Sequence, residues 1–189
     1  MLLGITGTNT VGKTAASSYL ISRGFSYYSH WDVVREELEK MSKEQSYENL
    51  QQFDLLARKK LGDSYWIKRV LSRIKEEFAV IDGIGFVQEV TELKKRKDFF
   101  LVGIYAPAEI KLERAWALSK SGMEMQDRLK DKKRLRSRNA PRQEVSGLER
   151  EQIELSKVMQ MIDFSVANEG NISKIYAALE NILRKAAKK

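Results

Sequence analysis

The residues with the clearest chemical potential form a glycine-rich segment near the amino terminus. It consists of Gly7, Thr8, Asn9, Thr10, Val11, Gly12, Lys13 and Thr14. This spacing fits the P-loop motif, in which backbone N–H groups surround a phosphate chain at the start of a helix. In that motif the lysine reaches the β- and γ-phosphates, and the threonine hydroxyl binds Mg²⁺. The segment therefore predicts a site for a nucleoside triphosphate with Mg²⁺.

The segment is predicted to lie between a strand and a helix, as the motif requires. Leu2, Leu3 and Ile5 predict a short buried strand, and residues 15–21 predict a helix. A simple glycine turn between a strand and a helix is the alternative interpretation. The complete motif in its expected context favours phosphate binding.

A second candidate lies at the end of another apolar run. Phe78-Ala79-Val80-Ile81 predicts a strand buried on both faces, and Asp82 follows it directly. A carboxylate at the carboxyl end of such a strand faces the ligand crevice of an α/β sheet and can hold Mg²⁺. An Asp-Gly turn without a ligand is the alternative. We expect Asp82 and Thr14 to form the metal site.

Phe25 to Ser29 predict a second strand, and Asp32 and Arg35 follow it on one face of a predicted helix. Asp32 is either the N-cap of that helix or a group that orients an acceptor hydroxyl and accepts its proton. Arg35 is either a solvated helix arginine or a ligand of an acceptor phosphate. His30, the only histidine, has no partner in the sequence, and we expect it in a turn or at the surface.

The chain has a net charge of +8, and residues 128–142 contribute much of it. This basic stretch is a solvated helix face, a lid that closes over phosphates, or a binding surface for nucleic acid. We favour the lid, because a P-loop precedes it and no aromatic residues are interleaved with the charges. Nucleic acid is therefore not the expected partner.

The whole sequence predicts one α/β domain over residues 1–189, with a parallel sheet wrapped by helices. The chain has no cysteine, which excludes disulfides and thiolate metal sites. No apolar run approaches the ~20 residues of a membrane span, and the amino terminus lacks a basic signal-peptide region. We expect a cytoplasmic protein without a membrane partner.

Several further segments occur in a characteristic order along almost the whole chain. They are Gly4 to Gly7, Tyr28 to Glu37, Val80 to Ile84, Ile104 to Pro107, Glu113-Arg114, Glu149 to Glu151 and Ala167 to Gly170. With these segments the chain resembles the small P-loop kinases of the nucleoside-monophosphate kinase and dephospho-CoA kinase group. It is similar in particular to archaeal adenylate-kinase-related proteins and to the kinase-like domain joined to some dCMP deaminases.

The resemblance implies a P-loop NTPase three-layer sandwich with a five-stranded parallel sheet and a basic lid at about residues 121–143. It also implies transfer of the γ-phosphoryl group of ATP to a small nucleotide-like acceptor, a nucleoside monophosphate or dephospho-CoA. By this resemblance Asp32 faces the acceptor and Arg35 helps to hold it, while Arg114 and Arg150 contact phosphates from the lid side. The loop with Asn168 and Gly170 would lie against the adenine.

Two features depart from these kinases. Related sequences commonly carry an arginine directly after the Asp-Gly-Ile segment, where this chain has Gly85, and the lid has a Lys/Arg run in place of an acidic-arginine pattern. Both changes fall on the acceptor side, so the acceptor is the less constrained part of the prediction. The alternatives to a small-molecule kinase are an ATP-binding switch and a nucleic-acid-associated NTPase.

Overall fold

The computed structural model describes residues 1–120 and 142–188. The predicted lid therefore falls, except for its last two residues, outside the described part of the chain. The described helices and strands alternate in the order β1 Leu2–Thr6, α1 Lys13–Ser22, β2 Ser26–Ser29, α2 His30–Lys40, α3 Tyr47–Leu61, α4 Tyr65–Leu71, β3 Ala79–Asp82, α5 Val87–Leu93, β4 Phe99–Tyr105, α6 Ala108–Lys120, α7 Arg142–Val158, β5 Phe164–Ala167 and α8 Ile172–Ala186.

The five strands form one parallel sheet in the order β2-β3-β1-β4-β5. The strand that leads into the P-loop, β1, lies at the centre, and all five of its residues are buried. This is the predicted α/β architecture with a five-stranded parallel sheet, and the fold class is confirmed. Because parallel strands end at the same edge, the ends of β1 and β3 bring the P-loop and Asp82 together.

Helices cover both faces of the sheet and produce three layers. On one face α1 and α8 pack against alternate strand residues; this core includes Ile5, Leu20, Val102, Ile104, Ile175 and Leu179. On the other face α2 to α5 and the end of α7 pack against the remaining strand residues; this core includes Leu2, Val34, Trp66, Ile81, Leu101 and Val158. Residues of β1 point alternately into the two cores, as the period of a strand requires.

The start of α2 differs from the sequence-based prediction. We expected this helix to open at Asp32, but it begins at His30, and its N-cap is Ser29. The Ser29 side chain accepts a hydrogen bond from the backbone N–H of Trp31, which satisfies one of the free amides of the first turn. Asp32 is therefore not the cap, and that interpretation of its role was wrong.

Among residues 1–120 and 142–188, no helix combines the length and the apolar character needed to cross a bilayer.

Candidate functional site

The P-loop connects the end of β1 to the start of α1 and is held against the ends of β4 and β5. Gly7 has φ +144°, and a Cβ on it would overlap the carbonyl oxygen of Ile104 in β4. Gly12 has φ +103°, and a Cβ there would overlap the side-chain amide of Asn168. Both glycines are thus required by backbone conformation and by close packing against the sheet.

Lys13 crosses the concave side of this loop. Its Nζ donates hydrogen bonds to the carbonyl oxygens of Gly7 at 3.0 Å and Thr8 at 3.1 Å. The ammonium group therefore lies inside the loop, where the motif predicts that it meets phosphate oxygens. Lys13 is also near enough to Asp82 to lower the pKa of that carboxyl group by electrostatic attraction.

The turn that carries Asp82 is fixed to the end of β1. The hydroxyl of Thr6, which is completely buried, donates to the carbonyl oxygen of Ile84 at 2.7 Å. The backbone N–H groups of Gly83 and Ile84 both donate to the carbonyl oxygen of Ile5. Asp82 also pairs with Ile5 in the sheet. These bonds set the position of the carboxylate relative to the P-loop.

Asp82 has the properties expected of a metal ligand. Its Oδ1 atom is buried and has no hydrogen-bond partner among the described residues. Burial raises the pKa of this carboxyl group, and the nearby Lys13 opposes that shift. A buried carboxylate oxygen without a partner is costly unless a cation or a donor binds it.

Thr14 complements Asp82. Its side chain is exposed in the first turn of α1, so its hydroxyl is accessible to a cation bound near the phosphates. Hydroxyl and carboxylate oxygens are the ligands that Mg²⁺ prefers, with phosphates and water completing its shell. The residues present fit Mg²⁺, although no group of three or more His, Cys, Asp or Glu side chains is found in the described part of the chain.

Tyr27 is a further polar residue on this side of the sheet, and the sequence analysis did not identify it. It lies on β2 with its side chain 41% exposed. Burial of its ring, followed by the nearby carboxylates of Asp82 and Asp32, raises the pKa of its hydroxyl to about 12. The hydroxyl keeps its proton at neutral pH, and its hydrogen bond to Asp82 lowers the pKa of that carboxyl group.

Asp32 and Arg35 form an ion pair on the exposed side of α2. Arg35 Nη1 donates to Asp32 Oδ1 at 2.8 Å, and each side chain is about half exposed. Because Ser29 is the N-cap of α2, the Asp32 carboxylate pairs with Arg35. The structure thus brings the two predicted acceptor residues together, and their roles stay predictions.

The loop after Asp82 is held by a buried ionic cluster that the sequence analysis missed. Glu89 Oε2 accepts hydrogen bonds from the backbone N–H groups of Gly85 at 2.9 Å and Phe86 at 3.1 Å. Glu89 Oε1 accepts from Arg58 Nη1, and Arg58 Nε donates to Asp54. The Arg58 guanidinium also lies 4.2 Å from the centre of the Phe86 ring, a cation–π contact.

His30 is buried beside this cluster, so the prediction of a surface or turn position was wrong. Burial, followed by the positive charges of Arg58 and Arg35, lowers its pKa well below the ordinary value. The imidazole is therefore neutral at physiological pH. Its ring packs against that of Trp31, with 4.6 Å between the ring centres.

Arg150 connects α7 to the same region. Its Nη2 donates to Asp63 Oδ2 at 2.6 Å, and its guanidinium lies 5.7 Å from the centre of the Phe86 ring. The other carboxylate oxygen of Asp63 is buried without a partner among the described residues. The predicted phosphate ligand is thus an ion-pair partner in this structure, and its contact with phosphate stays a prediction.

Arg114 and Asn168 lie against the outer side of the P-loop. Arg114 donates to the carbonyl oxygen of Thr10 at 3.1 Å and to Asn168 Oδ1 at 3.0 Å. Asn168 Nδ2 donates to the carbonyl oxygen of Val11 at 2.7 Å, and Gly170 N donates to Asn168 Oδ1 at 3.3 Å. Both predicted nucleotide-site residues therefore contact the P-loop itself.

The chain is similar to uncharacterised archaeal proteins of UPF0200. It is 32% identical over 184 residues to a UPF0200/UPF0201 protein of Archaeoglobus fulgidus, which covers 94% of this chain but only 53% of that protein. It is 28% identical over 193 residues to a UPF0200 protein of Methanocaldococcus jannaschii, with 97% of this chain and 89% of that one covered. The chain thus spans about half the length of the Archaeoglobus relative and most of the Methanocaldococcus one. No family model matches the chain.

Solved structures of P-loop kinases share the fold. Shikimate kinase from Aquifex aeolicus superposes with a TM-score of 0.52 at 20% identity, covering 99% of this chain and 98% of that one. A gluconokinase from Sinorhizobium meliloti gives a TM-score of 0.50 at 12% identity, with 98% and 93% covered. At these identities the comparison shows the fold of a P-loop kinase.

Proposed function

We propose that the chain is an ATP- and Mg²⁺-dependent phosphotransferase that moves the γ-phosphoryl group to a small nucleotide-like acceptor. The acceptor class is a nucleoside monophosphate or dephospho-CoA. The observation that carries the proposal is the pairing of a complete P-loop with Asp82, whose buried Oδ1 has no partner among the described residues and whose carboxylate lies within electrostatic range of Lys13. The shared fold with small-molecule kinases supports it.

Each part of the site has a distinct task in this reaction. The P-loop N–H groups and Lys13 bind the β- and γ-phosphates, and Thr14 and Asp82 hold Mg²⁺, which neutralises charge on the phosphate oxygens. Asp32 accepts the proton of the acceptor hydroxyl or orients that hydroxyl, and Arg35 binds the acceptor phosphate. Rate acceleration then comes from positioning and electrostatic stabilisation, as phosphoryl transfer requires.

The test is to incubate the protein with ATP, Mg²⁺ and a panel of nucleoside monophosphates and dephospho-CoA. ADP formation that depends on one acceptor, with a phosphorylated product seen by mass spectrometry, is the expected result. Lys13→Ala should abolish turnover and keep the fold. Lys95→Ala is the matched control, because Lys95 is an exposed lysine that pairs with Glu92 before the amino end of β4. Full turnover in the Lys13 variant would reject the assignment.

One observation favours a second candidate, an ATP-binding switch without a small acceptor. Gly85 has no side chain to grip an acceptor, and its N–H is bound by Glu89. In that case the panel would give only slow ATP hydrolysis, equal with and without each acceptor. A role with nucleic acid depends on residues 128–141, outside the described part of the chain, and stays an alternative prediction.

A further inference from the structure

Asn168 is a buried residue whose side-chain oxygen and nitrogen both form hydrogen bonds within the protein. It directly follows β5, its backbone N–H donates to the carbonyl oxygen of Tyr105, and the residue is only 2% exposed. Its Oδ1 accepts from Arg114 and Gly170, while its Nδ2 donates to Val11. The side-chain oxygen thus already accepts two hydrogen bonds, and the side-chain nitrogen is bound to the P-loop backbone.

Arg114 and Asn168 bind the carbonyl groups of two neighbouring peptides of the P-loop. Arg114 binds the oxygen of Thr10, and Asn168 binds the oxygen of Val11. In a planar trans peptide the C=O and the N–H point in opposite directions. The bond to Thr10 therefore fixes the direction of the Val11 N–H, and the bond to Val11 fixes that of the Gly12 N–H. Both amides are directed away from Asn168 and Arg114.

This segment needs external support because its backbone is strained. Thr10 has φ +66°, which is uncommon for a residue with a branched side chain. The Thr10 hydroxyl lies within hydrogen-bonding distance of two carbonyl oxygens, that of Asn9 and that of Lys111 in α6. Thus α6 and the residue after β5 together hold the loop in a conformation that the isolated sequence would rarely adopt.

We propose that Asn168 and Arg114 are positioning residues that keep the P-loop amides arranged for a triphosphate. They act on the phosphate chain through the loop, and Asn168 does not recognise the base. This inference rests on one part of the proposed function, the binding of ATP by the P-loop. It differs from the role that the kinase resemblance implies, in which the loop containing Asn168 lies against adenine.

The two roles are separated by a ligand that has no base. Binding of ATP and of inorganic tripolyphosphate, each with Mg²⁺, is measured by isothermal titration calorimetry on the full chain. If Asn168 acts through the P-loop, Asn168→Ala should weaken both ligands by the same factor, about tenfold. If Asn168 recognises the base, only ATP is weakened, and the inference is overturned.

Asn49→Ala is the matched control. The Asn49 side chain also donates to a backbone carbonyl, that of Glu44 at 2.9 Å, but at the start of α3. We expect it to leave both affinities unchanged. An equal loss in this control would show that the effect is a general one of stability, which would also overturn the inference.

Asn168→Asp provides a variant of unchanged size in case the alanine variant does not fold. Aspartate keeps its acceptor for Arg114 and strengthens that pair, but it removes the donor to Val11. Both ligands should then bind more weakly than to the natural protein, and by the same factor. Unchanged binding of both ligands would overturn the inference.

Failure of the proposed function has a different signature. If the natural protein bound neither ATP nor tripolyphosphate, the phosphotransferase proposal would fall, and this inference with it. If the natural protein bound both and Asn168→Ala bound both equally well, only the inference would fall.

Discussion

Arg58 and Glu89 form an ion pair that is almost completely removed from water. Arg58 Nη1 lies 2.9 Å from Glu89 Oε1, and each side chain is 1% exposed. Asp54 binds the same guanidinium from the preceding turn of α3. Because Glu89 also binds the N–H groups of Gly85 and Phe86, this pair links the core to the loop that follows Asp82.

Replacement of the buried cation should destabilise the protein strongly. Arg58→Met keeps much of the side-chain volume but leaves two buried carboxylates without their partner, and we expect a loss of about 3–5 kcal/mol in the free energy of unfolding. Arg73→Met is the control, since its pair with Glu36 is partly exposed and should contribute about 1 kcal/mol or less. Urea unfolding measures both; equal losses would contradict the prediction.

The Asp54 carboxyl group should make stability depend on pH. Burial raises its pKa from 3.8 to about 6, against the attraction of Arg58. Between these values the folded state binds a proton that the unfolded state does not, so the free energy of unfolding falls as pH rises through this window. The contribution amounts to up to about 3 kcal/mol.

Asp54→Asn removes this titration. The difference in unfolding free energy between the natural protein and the variant should therefore change between about pH 4 and 7, in favour of the natural protein at the acidic end. A difference that stays constant over this range would show that Asp54 does not titrate there.

The raised pKa of Asp82 should appear in the binding of Mg²⁺. The metal requires the ionised carboxylate, so the affinity for Mg²⁺ should rise with pH until Asp82 is fully ionised. Calorimetry of ADP binding at increasing Mg²⁺, repeated at a series of rising pH values, measures this. Asp82→Asn should weaken the Mg²⁺ dependence and flatten its pH profile; a variant with the natural profile would argue against Asp82 as the ligand.

Substitution of Gly12 by alanine should destabilise the protein more than the same substitution at Gly24, which also has a positive φ. Gly12→Ala places a methyl group against the Asn168 amide, which is held by Val11 and Arg114 and cannot move away freely. Gly24→Ala is the control: its φ is +89°, but nothing lies within 4 Å of the added methyl.

The control variant should lose about 1–2 kcal/mol of stability from backbone strain alone, and the Gly12 variant should lose more. Thermal unfolding and ADP binding measure the two effects. If the alanine variants were equally stable and bound ADP equally well, the close packing of Gly12 on Asn168 would have no energetic role.

The central strands are predictable from the sequence because they carry continuous apolar runs. β1, β3 and β4 are buried almost throughout. The P-loop was also predictable, since its glycines, lysine and threonine have a fixed spacing. Asp82 followed from its place at the end of a strand.

The region between α3 and the loop after Asp82 was less predictable because its contacts join distant parts of the chain. In the sequence, Asp54 and Arg58 look like ordinary residues on a polar helix face. Their third partner, Glu89, lies 31 positions after Arg58. The residues next to His30 in the sequence do not indicate that it is buried. Trp116 is 65% exposed, although large aromatic residues are usually well buried.

The central position of β1 gives this molecule two separable halves around one shared loop. The ends of β3 and β2 lie to one side with Asp82 and Tyr27, and the ends of β4 and β5 lie to the other with Asn168. Substitutions on the first side therefore need not disturb the hydrogen bonds on the second. Under the proposed function, the residues that meet the acceptor can change while those that support the phosphate-binding loop stay the same.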